Sequence, residues 1–441
     1  MATEHGLVQV LGIVLAVGAG GCLQQAIMTR EAPVTVRLEA LESVAVFQPR
    51  EDFVGSGRFS VVPGRPWLAL RSKTFDGAHS ILSIWDYERH IETFSYQPNE
   101  KASFGIAPVV SPDQKLLAFP LEGARVGLVE IPSGKPYFKN LVGHIDCAAR
   151  TAFHPDGRRA VTVGRDANVV IWDLRAPEGE DVVAQYNGHD QPGGAIPTCC
   201  VALSPDGRLA VTGDADGYAI LWEVDTQKTL HRFPRLVSEF YEPTKKKGES
   251  LGFVLTGPNL QPVEIFQQAD DRGDEIVAAA FFADGSKVAI AGREMGVHVF
   301  DTRSGQKLAE HVAKFGWLRD EGPLPSNKLS VSLLGQLKVT DGRPWVNDVA
   351  VSPDGRYILI ASDPYPKLWE WQSDRLWLLK GHHRMNPNRR YYIERGLPVP
   401  PTEPGGVMSV AFSHDGRFAI TGGDDGTVRL WDVGVIRLNR G

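Results

Sequence analysis

From about residue 35 onward the chain is a succession of short runs in which apolar and polar side chains alternate. Alternation with a period of two marks a strand with one buried face. CVAL and RLAVTG flank the turn SPDG at 204, and VMSVAF and RFAITGG flank SHDG at 413. Such a turn joins two strands, because Pro presets φ, Asp bonds the local backbone and Gly tolerates positive φ. Related turns stand at VPGR 62, SPDQ 111, HPDG 154, FADG 282 and SPDG 352, giving seven predicted hairpins. After each hairpin a third run ends in a bulky side chain followed by an acid. Trp85, Val129, Trp172, Trp222, Phe300, Trp369 and Trp431 hold that place, spaced by 44, 43, 50, 78, 69 and 62 residues.

A unit of about 40–45 residues with four strands has the dimensions of a propeller blade. Seven units predict an all-β, seven-bladed β-propeller over residues 34–441. The pattern of GH, SPDG, a hydroxyl residue, Asp and WD resembles the WD40-repeat family. The resemblance implies a hydrogen-bonded set in three blades: His144, Thr162, Asp166 and Trp172; His189, Thr212, Asp216 and Trp222; and His382, Thr421, Asp425 and Trp431. In the family the Asp accepts from His, His contacts the hydroxyl, and the hydroxyl accepts from the indole N–H. Satisfying several buried polar groups together fixes strand register. In all three sets the Asp precedes the Trp by six residues. Four blades depart from the pattern, with Val129, with Phe300 and Glu294, with Leu359 in place of the hydroxyl, and with Trp85 and Asp76. These are expected to rely on apolar packing.

A ring built from one chain needs its ends joined, since an open strand edge is a template for aggregation. Only VGVIRLNRG follows the third strand of the last blade, whereas VTVRLEALESVAVF, Val34 to Phe47, precedes the first. The N-terminal segment is expected to close the ring as the outer strand of the seventh blade. Residues 1–33 are set apart as a hydrophobic, helix-forming anchor or signal-like segment: Gly6 to Met28 carries no charged side chain over 23 positions, approaching the length of a span. GAGGC ending at Cys22 resembles a bacterial lipoprotein cleavage and lipidation site, although MATEH before it lacks Lys or Arg. Membrane association through a lipidated Cys22 or a single span is expected, on a side left open, with a cytoplasmic protein as the alternative.

Composition narrows the chemistry. Among 441 residues, 47 Lys and Arg stand against 53 Asp and Glu, a net charge of -6, so no bulk field exists for wrapping nucleic acid. Four cysteines, without a C-x-x-C pair, make neither a disulfide scaffold nor a zinc site. Gly248 to Gly252 matches G-x-S-x-G around Ser250, but three lysines precede it where a buried strand is required. His382 and His383 lack further ligands nearby, and neither metal nor cofactor is expected. The recurrent Asp residues read as structural acceptors and not as an acid/base set.

The excess spacing falls in three insertions, 234–274, 309–344 and 381–404, each between the outer strand of one blade and the inner strand of the next. Such connections leave a propeller on one face, predicting a raised wall that binds a partner. Its candidate contacts are Arg384, Arg389, Arg390, Tyr391 and Tyr392 in the third insertion, Lys245, Lys246 and Lys247 beside a predicted hairpin in the first, and Phe315 and Trp317 in the second. Arg and aromatic residues are enriched at binding hot spots. The resemblance implies a non-enzymatic scaffold, monomeric as a propeller, for protein or peptide partners. The alternatives are a hydrolase or lyase at the propeller mouth, or a small-ligand sensor.

Overall fold

The computed structural model describes residues 39–41, 43–47, 53–74, 80–100, 107–144, 148–191, 194–236, 250–256, 261–266, 274–293, 296–311, 345–363, 365–383, 392, 395–396 and 405–438. The first two strands, β1 (Glu39–Leu41) and β2 (Ala45–Phe47), join the last two blades. Blade 1 is β3 (Phe53–Val61), β4 (Trp67–Thr74), β5 (Ser80–Asp86) and β6 (Ile91–Tyr96). Blade 2 is β7 (Val109–Val110), β8 (Leu116–Leu121), β9 (Arg125–Glu130) and β10 (Leu141–Val142). Blade 3 is β11 (Ala148–Phe153), β12 (Arg159–Gly164), β13 (Val169–Asp173) and β14 (Val182–Tyr186). A small hairpin, β15 (Asp190–Gln191) and β16 (Gly194–Ala195), precedes blade 4, which is β17 (Thr198–Leu203), β18 (Leu209–Asp214), β19 (Ala219–Glu223) and β20 (Thr229–Arg232).

A second hairpin, β21 (Ser250–Thr256) and β22 (Gln261–Phe266), lies in the first insertion, where the sequence predicts one. Blade 5 is β23 (Ile276–Phe281), β24 (Lys287–Gly292), β25 (Gly296–Asp301) and β26 (Lys307–His311). Blade 6 is β27 (Val346–Val351), β28 (Tyr357–Ser362), β29 (Lys367–Glu370) and β30 (Arg375–Leu379). Blade 7 is β31 (Val407–Phe412), β32 (Phe418–Gly423) and β33 (Val428–Asp432), followed by a short helix, Gly434–Leu438.

The repeated turns set the register. Each of the seven carries one residue at positive φ: Gly64, Gln114, Gly157, Gly207, Gly285, Gly355 and Gly416. Only blade 2 uses a side chain there. In the Ser-Pro-Asp turns the Asp carboxylate accepts from the Ser hydroxyl, as in Asp206 with Ser204 at 2.6 Å, and that hydroxyl accepts the amide that opens the next strand. The bulky third-strand residues consequently fall at one register position. Trp172 faces Ala160, Trp222 faces Ala210 and Trp431 faces Ala419, small partners beneath large rings.

Burial is distributed around the ring as apolar layers between neighbouring sheets. Val161 and Val163 of blade 3 pack on Ala210, Ile220 and Trp222 of blade 4. Phe59, Leu68 and Leu70 of blade 1 pack on Ile420, Val428 and Leu430 of blade 7, which brings the first and last blades together. Trp172, Trp222, Trp369 and Trp431 are wholly buried in these layers. Each such ring contributes on the order of 2–3 kcal/mol of apolar transfer.

Closure takes a form the sequence foreshadows only in part. β2 pairs antiparallel with β33, Ala45 opposite Leu430, and so forms the outer strand of blade 7. The same N-terminal segment also lays β1 parallel to β30 as a fifth strand of blade 6, with Ala40 opposite Leu378. The chain bends at Val44, whose N–H donates to the Leu430 carbonyl at 2.8 Å. One segment thereby covers two sheet edges. The anchor-like residues 1–33 lie outside the described residues. Among the described residues no helix is long and apolar enough to cross a membrane.

Candidate functional site

Strand polarity defines two faces. Inner strands begin, second strands end and third strands begin at one end of the ring, so the connections between blades emerge there together with the turns between second and third strands. This upper face carries His144, which precedes β11, and Asp166, between β12 and β13. The strand ends that lead from β20 to β23, from β26 to β27 and from β30 to β31 also lie there.

The three expected hydrogen-bonded sets differ in one member. In blade 3, His144 Nδ1 donates to Asp166 at 3.0 Å, its Nε2 meets the Thr162 hydroxyl at 2.7 Å, and Trp172 Nε1 donates to that hydroxyl at 2.7 Å. In blade 7, His382 contacts Asp425 at 3.2 Å and Thr421 at 2.8 Å, while Trp431 donates to Thr421 at 2.9 Å. Burial alone would raise the Asp425 carboxyl. Hydrogen bonds from His382 and Thr427 outweigh it and hold the carboxyl down at about 2.

In blade 4 the acceptor is Asp214, and the assignment of Asp216 is corrected. His189 reaches Asp214 at 2.8 Å and Thr212 at 2.8 Å, and Trp222 donates to Thr212 at 3.2 Å. The reason lies eight residues before each Trp. Blades 3 and 7 have Gly164 and Gly423 there, and a Cβ on either would collide with the His and Asp side chains. Blade 4 has Asp214 at that position, and its own carboxylate fills the space. Asp216 is left in the turn, its amide donating to Asp214 at 3.0 Å and its carbonyl accepting from Arg235 at 2.8 Å.

Two blades expected to rely on apolar packing also find polar partners for their indoles. Trp369 Nε1 donates to Asp374 at 2.9 Å, and Trp85 Nε1 donates to the Ser83 hydroxyl at 3.0 Å. A buried indole N–H without an acceptor is costly, so a neighbouring side chain takes the place of the missing hydroxyl.

These repeats decide the family. A family model for the WD domain, G-beta repeat, matches residues 135–173, 180–223, 333–370 and 401–432. The chain is a WD40-repeat β-propeller. A chain in the crystal structure of the mitotic checkpoint complex has the same fold, with a TM-score of 0.57 over 97 % of this chain and 99 % of that chain at 13 % identity. The mouse periodic tryptophan protein 2 homolog is 29 % identical over 104 residues, 23 % of this WD40 chain. The match spans only 9 % of that relative's length.

Of the proposed contact residues in this WD40 propeller, Tyr392 is among the described residues, and its carbonyl accepts from the Arg395 amide at 3.2 Å. Lys245, Lys246, Lys247, Phe315, Trp317, Arg384, Arg389, Arg390 and Tyr391 lie outside them, as do Cys22, Asp76 and Glu294. What the upper face does show is cation–aromatic contacts, two of them made by arginines. The Arg293 guanidinium lies 5.9 Å from the ring of Trp345, which is 47 % exposed, and Arg235 lies 5.5 Å from Tyr218. No motif marks these four in the sequence. Trp345 and Arg293 are recognisable only as the residues that flank a strand at its upper end.

The channel is the second feature. After a shift near the start of each inner strand, the next paired residue occupies one equivalent position: Arg150, Cys200, Ala278, Asp348 and Ser409 in blades 3 to 7. Arg58, in the corresponding irregularity of β3, is its counterpart in blade 1. Cys200, Ala278 and Ser409 are small and buried at this position, whereas Arg58, Arg150 and Asp348 bring charge to it. Arg150 donates to the Val277 carbonyl of blade 5 at 3.0 Å and lies 3.9 Å from Asp348 of blade 6, so its side chain reaches past blade 4. Above it, Arg293 donates to Glu275 at 2.8 Å. Among the described residues no group of three or more His, Cys, Asp or Glu is arranged to hold a metal. The Cys199 and Cys200 thiols are both pushed up by burial, Cys200 to about 12, so neither is an activated nucleophile at neutral pH.

Proposed function

We propose that this WD40 propeller is a non-enzymatic scaffold that binds a protein or peptide partner on its upper face. Propellers of the family generally serve as such scaffolds, and the exposed Trp345 stacked by Arg293 carries the reading here. Trp and Arg are the side chains that most often dominate binding energy, because both bury large area with few or preorganised rotamers. The stack stands where the second insertion enters blade 6. Surface of this kind suits an ordered partner with acidic or aromatic groups.

The test compares proximity labelling or pull-down by the wild-type chain with two variants. One changes Trp345 and Arg293 to Ala; the other changes Arg389, Arg390, Tyr391 and Tyr392 to Ala. Loss of the same partners from both variants is expected, and an unchanged partner set from both sinks the proposal. The reading extends to a tether through residues 6–28, supported by their uncharged run. Palmitate incorporation that disappears in Cys22→Ser is the result expected of a lipidated anchor.

A further inference from the structure

Two residues before the large third-strand residue, each blade has a position that faces the layer shared with the preceding blade. Val170 and Ile220 fill it with buried aliphatic side chains in blades 3 and 4. Blades 5, 6 and 7 place His298, Lys367 and Arg429 there. His298 Nδ1 lies 3.5 Å from Glu310, and Arg429 Nη1 donates to the Ser43 hydroxyl at 3.4 Å. Lys367 has no acceptor and no ion-pair partner among the described residues. It opens β29 at the upper end, opposite Ile360 and Leu378, on the same sheet face as Trp369. Across the seam, the ring of His311, last residue of β26, lies 5.5 Å from the ring of Trp369, with its Nε2 buried and unpartnered.

Burial alone pushes the Lys367 ammonium down to about 8. Burial, with the Lys367 charge beside it, pushes the His311 imidazole down to about 3, so that ring stays neutral. The carboxylates of these two blades are committed elsewhere. Arg293 holds Glu275 at 2.7 Å, Lys307 pairs with Glu310, Asp363 accepts from the Gly406 amide at 2.8 Å, and Glu370 pairs with Arg356 at 2.7 Å. The other cation at this end, Lys380, stacks on Tyr365 at 5.6 Å. Lys367 is only half-buried, so its amine is open to solvent at the upper end of the seam.

We propose that Lys367 is a modification site, an amine acylated by an acyl thioester at the upper end of the seam between blades 5 and 6. The unprotonated nitrogen attacks the thioester carbonyl. A C–N bond forms, the C–S bond breaks, and the amine proton leaves with the sulfur as a thiol. Desolvation makes the unprotonated amine available near neutral pH, as it does for other nucleophilic lysines. The product amide carries no charge and relieves the cost of an unpaired ammonium between apolar sheets. The site does not depend on the partner-binding reading. Because the Arg293 and Trp345 stack bridges the same two blades, acylation also changes the charge beside that surface.

The experiment incubates the full chain with acetyl coenzyme A, without any transferase, from pH 7 to pH 10, and follows each lysine by mass spectrometry. Ionisation favours Lys367 over an ordinary lysine by about two orders of magnitude at pH 7.5, and the lower basicity of its nitrogen returns about one. Lys367 is expected to acetylate about tenfold faster than the median lysine at that pH. Its rate should level off just above pH 8, while the rates of the others go on rising. Unfolding in urea should abolish the preference. His311→Asp supplies a counter-charge, and should move the plateau to higher pH and slow the reaction at pH 7.5. A rate at or below the median at pH 7.5, or a profile without a plateau, overturns the proposal. Stability gives a second readout that needs no labelling. Lys367→Met should have a higher Tm than wild type at pH 7, and the gap should narrow as pH rises from 8 towards 10.5, where only the folded wild type has lost the proton. A lower Tm for Lys367→Met at pH 7 shows that the ammonium is compensated and overturns the proposal as well.

Discussion

His189 and Asp214 lie 2.8 Å apart with both side chains fully buried, and they place the blade 4 acceptor two residues ahead of its counterparts in blades 3 and 7. The displacement separates two carboxylates that the repeat pattern makes look interchangeable. Asp214→Asn should destabilise the protein by about 2–3 kcal/mol, since a buried charge-assisted hydrogen bond is weakened inside a coupled set. Asp216→Asn should cost less than about 0.5 kcal/mol, as is usual for a turn residue whose carboxylate is not in the set. Urea midpoints at constant m decide the matter, and equal losses would contradict the assignment.

The blade 7 carboxylate gives a dependence on pH. Asp425 is held at about 2, below the ordinary carboxylate near 3.8, so the folded state favours its ionised form. Its contribution, about 2 kcal/mol, is complete above about pH 4 and is lost as pH falls towards 2. The stability gap between wild type and Asp425→Asn should therefore be widest near neutrality and should narrow through that acidic window. A gap that widens on acidification gives the wrong sign.

Ring closure depends on a short pairing. Val44→Pro removes the N–H that donates to Leu430 and should lower stability by about 1–2 kcal/mol. Deletion of residues 34–47 uncovers the edges of both β30 and β33 and should yield aggregated or unfolded chain. A soluble monomer with an unchanged melting transition would refute the closure.

Blades 2 and 3 are joined by a buried ammonium. Lys139 Nζ donates to the carbonyls of Asp173 and Ala176 at 2.8 and 2.6 Å and lies 3.2 Å from Asp181, with both charged side chains almost wholly inaccessible. Lys139→Met strands the Asp181 carboxylate and should cost about 3–5 kcal/mol, part of which the added Asp181→Leu change restores. Additive losses in the double variant, measured by chemical unfolding, would show that the two groups are not coupled.

The repeated turns make the blades legible in the sequence, because Pro, Asp and Gly act through local backbone preferences. The third-strand residue is legible for the same reason: one position per unit is buried in six blades and partly buried, as Trp85, in the first. Asp214 was hidden because Asp214 and Asp216 both stand near Trp222, and only the space around Gly164 and Gly423 shows which position can hold the carboxylate. Arg58 and Arg150 were hidden more completely. They are far apart in the chain, and neither belongs to a motif.

The sequence alone determined the number of blades, the strands within them and the need for an N-terminal strand to close the ring, since each follows from alternation, turn chemistry and a fixed repeat. Tertiary structure decided that this segment covers the edges of blades 6 and 7 together, that His189 is paired with Asp214, and that Arg150 of blade 3 reaches Val277 of blade 5 and Asp348 of blade 6. Those outcomes depend on which side chains share a confined space once the ring is closed, and local sequence carries no record of that geometry.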